Sequence, residues 1–167
     1  MALTFLRNLG IVSSAGISTT KLGTGAVLQV VNATYATVTS SSSSTYADTG
    51  LTASITPSSA SNKILVLVNH NGCRKDTNNT TLMVRLLRGS SEISGIEGAG
   101  GNTGSSATNV FGGIGITYLD SPATTSSITY KTQLKSGGNN ATVYINDVNS
   151  GGSSQSTITL LEIAVWL

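Results

Sequence analysis

One cysteine, one histidine and one tryptophan are all that 167 residues provide of those types, with two prolines and few charges beside them. A lone Cys73 excludes an intrachain disulfide and every cysteine-rich zinc site. His70 makes an H-x-x-C pair with Cys73, but no further Cys or His exists to complete a ligand set, and nearby Asp76 adds only oxygen. Neither a metal nor a cofactor is expected. A strand-end histidine and a small buried thiol account for both residues.

The shortage reaches catalysis as well. Serines abound, yet His70 is the single imidazole base and no G-x-S-x-G elbow is present. Glycoside chemistry needs two carboxyls facing each other across a cleft. Of the seven acids, Asp48, Asp76, Glu97, Asp120 and Asp147 fall in or beside turn signals, where Asp serves the backbone, and only Glu92 and Glu162 stand apart. Gly95 to Gly100 is glycine-rich but lacks the lysine and the following helix of a phosphate-binding loop. No enzymatic activity is expected.

Charged residues make up 10% of the chain, against roughly 25% in typical soluble domains. A net charge of +2 is too small to mark a nucleic-acid surface. No apolar run approaches the ~18 residues of a membrane span, so neither nucleic acid nor membrane is an expected partner. Met1 to Gly10 lacks a basic n-region and Arg7-Asn8 interrupts its apolar run, so a cleaved leader is not expected. Ser, Thr, Gly and Asn fill the space the charges leave. A near-neutral, hydroxyl-rich surface suits a protein that sits packed in an assembly or faces the outside.

Strand signals dominate what is present. Leu51, Ala53 and Ile55 alternate with Thr52, Ser54 and Thr56, a strand wet on one side. Ile64-Leu65-Val66-Leu67-Val68 is apolar on both faces, and so is the last stretch, where Leu160, Leu161, Ile163, Val165 and Trp166 surround a single Glu162. In a chain with few helix signals, one cover for such a strand is the opposing sheet and the other is a neighbouring copy. These five residues are therefore expected at a subunit interface. Further strands are expected at Val27 to Val31, Tyr35 to Thr39, Thr81 to Arg88, Glu92 to Ile96, Phe111 to Leu119 and Ser127 to Ser136. Arg74 to Thr80 reads as a polar loop, and Gly137-Gly138-Asn139-Asn140 reads as a hairpin turn into Thr142 to Val148. The pattern predicts an all-β sandwich of eight or nine strands over residues 26–167, a jelly roll if its connections are Greek keys. Residues 1–25 differ: Leu3, Phe5, Leu6, Leu9 and Ile11 form an apolar tip on a glycine-bearing tether, the composition of an anchoring arm or of a segment folded back on its own sandwich.

Gly25-Ala-Val-Leu-Gln-Val-Val, Thr49-Gly-Leu-Thr-Ala-Ser-Ile-Thr-Pro-Ser-Ser-Ala-Ser-Asn-Lys-Ile-Leu-Val and the closing Thr157-Ile-Thr-Leu-Leu-Glu-Ile-Ala resemble small β-sandwich virion proteins of tailed bacteriophages, notably marine ones. The resemblance covers most of residues 25–165 and brings no active site with it. It implies a homotrimeric jelly roll located in the virion after assembly in the host cytoplasm. The expected partners are further copies of itself and other virion proteins, with the major capsid protein favoured and tail proteins the alternative. A capsid decoration (cement) protein docking through Leu3, Phe5, Leu6, Leu9 and Ile11 is the leading expectation, because no heptads or repeats of a fibre shaft are present. A tail fibre or receptor-binding tip is the alternative.

Overall fold

In a computed structural model, residues 23–96, 105, 110–148, 152 and 154–165 are described. They form ten strands: β1 (Val27–Tyr35), β2 (Thr39–Ser41), β3 (Ala47–Ile55), β4 (Lys63–Lys75), β5 (Thr80–Arg88), β6 (Ser91–Ile96), β7 (Val110–Asp120), β8 (Ile128–Gly138), β9 (Val143–Ile145) and β10 (Ser156–Ile163). The architecture is all-β, in two antiparallel sheets packed face to face. Sheet I runs β1-β10-β4-β7, and the short pieces β9 and β2 continue β10 and β1 along the far end of the long β4. Sheet II runs β3-β8-β5-β6.

Alternation places the core. Ile64, Val66 and Val68 of β4 and Ile158 and Leu160 of β10 point inward from sheet I. Leu51, Ala53 and Ile55 of β3, Leu82, Val84 and Leu86 of β5, and Tyr130 and Leu134 of β8 meet them from sheet II. In β3 these are the residues that the period of two picks out of the sequence, whereas β4 and β10 are apolar on both faces and only sheet packing decides which set is inside.

Ten strands form where eight or nine are expected, in part because Tyr35 to Thr39 is not one strand but the break between β1 and β2. Two further features differ. The 137–140 turn does not close a hairpin: β8 lies in sheet II, and β9 pairs with β2 and β4 in sheet I. Both edges of β8 are already taken, by β3 and β5, so no edge is left for a following strand and the chain crosses between sheets. Residues 74 and 75 are strand rather than loop, because β4 shifts register between His70 and Cys73 and then continues to pair with β7 and β9. His70 is consequently inside a strand, not at its end. Arg74 is kept there by pairing with Asp147 at 2.8 Å and with Asp76, its side chain lying over the Tyr144 ring. The expected arm residues Leu3, Phe5, Leu6, Leu9 and Ile11, and Trp166, lie outside the described residues.

Another register shift, between Asp48 and Thr52, lets β3 pass over the ring of Tyr35. It depends on Gly50, whose φ is +90 and where an added Cβ would stand 2.3 Å from Tyr35 Cζ. Gly50→Ala combines a disfavoured backbone conformation with a clash against a packed ring. We expect a loss of roughly 2–4 kcal/mol in urea-induced unfolding; a loss within ~0.5 kcal/mol would contradict the packing of Tyr35 on β3.

Candidate interaction surface

The strands of sheet I that carry the core on one face carry a second set of apolar residues on the other. Register places Val30, Leu161, Leu65 and Leu119 side by side across β1, β10, β4 and β7. Val30 is 58% exposed and Leu119 50%, while Leu161 and Leu65 are half-buried between them. On one side of this row lie Val27 and Ile163 with Lys63; on the other lie Asn32, Thr159, Leu67 and Thr117. The row after that is Thr34, Thr157, Asn69 and Gly115. Among these rows Lys63 carries the only charge.

The outer face of sheet II has the opposite character. Lys131 pairs with Asp48 and Arg85 with Glu92, both at 2.9 Å, and Arg85 and Lys135 stack on Tyr46 at 4.1 and 4.4 Å from its ring centre. Hydrogen bonds from Gln133 and Lys131 hold the Asp48 carboxyl below its ordinary pKa. A cavity of about 150 Å³, lined by Asp48, Gly50, Leu51, Thr52, Lys131 and Thr132, opens at the β3 register shift. Its one carboxylate and one ammonium are paired with each other.

Of the residues expected at a subunit interface, Leu161 and Ile163 lie on the outer face of sheet I. Val165 follows just beyond the strand, half-buried, with its N–H donating to Asn62 Oδ1. Leu160 does not belong with them: it points inward and is fully buried in the core of its own chain, so another copy has no access to it. Sequence reasoning did not assign Val30, Leu65, Leu67 and Leu119 to this face. The signal was available for two of them in the doubly apolar run Ile64–Val68, whereas Val30 and Leu119 join the face only through strand pairing.

His70 and Cys73 are brought close, but as parts of the interior. Both imidazole nitrogens are occupied, Nδ1 by Ser156 Oγ at 3.2 Å and Nε2 by Thr132 Oγ1 at 3.1 Å. The Ser156 hydroxyl proton goes to Asn146 Oδ1 at 2.6 Å, so Ser156 must accept from His70, which places the proton on Nδ1. Nε2 then accepts from Thr132, and Thr132 accepts in turn from Thr49 Oγ1 at 2.6 Å. Burial pushes the Cys73 thiol up to about 12, against a smaller opposing effect of a backbone hydrogen bond at Ile114. No protein-family model matches this sequence, and no curated protein sequence matches it either.

Burial lowers the His70 pKa from 6.5 to about 4. The folded value lies below the unfolded one, so as pH falls the unfolded chain takes up the proton first. The stability present above pH 6.5 is lost progressively down to about pH 4, by ~3 kcal/mol in all. Urea unfolding at a series of pH values should show this slope in the wild-type chain. His70→Gln should be less stable at pH 7 but flatter between pH 6.5 and 4.5; an unchanged slope would mean that another group titrates.

Proposed function

We propose that this protein is a non-enzymatic structural component of a tailed-bacteriophage virion: a capsid decoration protein that docks on the head through residues 1–25 and trimerises through a jelly-roll sandwich. The observation that carries the reading is the contrast between the two outer faces. Across β1, β10, β4 and β7, sheet I offers water rows in which Lys63 is the one charge, with an apolar row across all four strands. The Arg74 ion pairs lie apart at the far end of β4, and the outer face of sheet II carries Lys131–Asp48 and Arg85–Glu92. Solvated faces hold charge, while contiguous apolar patches rimmed by polar residues belong to contacts. An assembly subunit needs one face of each kind.

The jelly-roll part is supported by strand order. With β1/β2 and β9/β10 each taken as one interrupted strand, successive strands pass from one sheet to the other except at the β5–β6 hairpin, giving 1-10-4-7 opposite 3-8-5-6, the order of a double Greek key. The virion and head assignments rest on the sequence resemblance, together with the arm composition of residues 1–25.

A tagged copy imaged on particles should label the head at many positions. Label confined to the tail would replace the cement role by that of a fibre or tip protein, and no label on any particle would remove the virion reading. Deleting residues 1–22 should abolish particle binding while leaving the free energy of urea-induced unfolding within ~0.5 kcal/mol of the full chain; retained binding would show that the arm is not the anchor.

A further inference from the structure

The outer face of sheet I is graded along its strands. Its apolar residues crowd one end, where Ile163, Val30, Leu161, Leu65 and Leu119 lie, with Leu67 one row further on. The opposite end is Thr34, Thr157, Asn69 and Gly115. Both ends of the described chain are at the apolar end: the Gly25 N–H donates to Ala164 O at 2.8 Å, and the Ala164 N–H donates to Ala26 O at 2.9 Å.

We propose that copies of this chain bury these faces against one another in parallel, apolar end on apolar end, so that their N-terminal arms leave the assembly together from one end. The proposal rests on the self-association put forward above and goes beyond it by naming the face and its alignment. The occupant follows from charge. Lys63 is the only charge in these rows, so a partner bearing charges would bury them unpaired. A second copy brings the same neutral rows and no such loss.

Size is adequate as well. Four strands ~4.8 Å apart and seven residues at ~3.4 Å each give a footprint of roughly 450 Å² per copy; side-chain relief brings a pair near the ~1,000 Å² that a specific interface requires. Alignment follows from the grading. A symmetry axis perpendicular to the strands would lay Leu161 and Leu65 of one copy on the threonines and asparagine of the next. An axis along the strands matches apolar rows to apolar rows over the full length. Arms grouped at one end make each later docking event intramolecular, which raises avidity without any new contact.

The test is made in solution on the full chain. By sedimentation at micromolar concentration, the wild type should be oligomeric. Val30→Lys combined with Leu119→Lys should be a folded monomer, since both side chains are at least half exposed within one chain. Ser54→Lys, on the outer face of sheet II, should leave the mass unchanged. Thr24→Cys, at the chain-entry end, should cross-link to itself with a short bismaleimide; native Cys73 is fully buried and does not compete. A monomeric wild type overturns the proposal, including a monomer whose face begins to bind an apolar dye once residues 1–22 are deleted, which would make the chain's own arm the cover. An oligomer that survives the double lysine variant overturns the face. Cross-linking of Thr24→Cys only to Thr34→Cys, in a mixture of the two variants, overturns the parallel alignment. Particles play no part in these measurements, so absence of the protein from virions would sink the virion reading and leave these results standing.

Discussion

The two sheets are held in one relative position by a chain of hydrogen bonds that passes through His70. From Thr49 on β3 it runs to Thr132 on β8, across to the imidazole on β4, then to Ser156 on β10 and to Asn146, whose amide donates to the carbonyls of Tyr35 and Thr37. Apolar contact between two sheets of Ile, Val and Leu has little directional preference. One sheet sliding over the other by a residue would still bury carbon. It would strand a hydroxyl, an imidazole or an amide, each costing ~1–3 kcal/mol when left unpaired in the interior. The register of the sandwich therefore depends on this polar line more than on the shape of the apolar core around it.

Two further ties repeat the logic. Asp120, at the end of β7, accepts from the Tyr130 hydroxyl at 2.6 Å and pairs with Arg88 at 2.9 Å, which joins sheet I to β8 and β5 of sheet II. Glu162 points inward from β10 with no exposure. Burial pushes its pKa up, but donors on Asn62, Gln29 and Ser58 outweigh that and hold it below the ordinary value. A buried carboxylate surrounded by neutral donors fixes the 56–62 connection against the last strand. One such acid in an otherwise apolar strand thus has a positional role.

These ties mark how far the sequence could be read. Alternation identified most of the strands and the inward face of β3, because period two is a property of the backbone and needs no knowledge of neighbours. At the start of β7 an added Cβ on Gly113 would stand 2.7 Å from the carbonyl oxygen of His70, an approach that glycine permits. What local pattern does not contain is which strand edges are already filled. That is why Gly137 to Asn140 looked like a hairpin, and why Val30 and Leu119 were not joined to Leu161. Leu160 was misplaced for a related reason: in a doubly apolar strand, composition does not say which face is inside. Nor could sequence assemble His70 with Thr132 and Ser156, which lie 62 and 86 residues away from it; a histidine between Asn69 and Asn71 gives no local trace of either partner.

The polar line through His70 also bears on the outer face. By fixing sheet register from within, it leaves the outward positions of sheet I with little part in setting that register, and the proposed self-association gives their composition a role. A face apolar along its whole length would associate in many registers and spread into open aggregates. Grading it from leucine and valine to threonine and asparagine removes most of those alternatives, because every slipped or reversed pairing sets apolar side chains against groups that prefer water. With Lys63 the only charge in the rows from Val27 to Gly115, specificity in the proposed association would come from this gradient rather than from ion pairs. The cost is a row that is poorly suited to water in a single chain, and it is offset only when the face is covered.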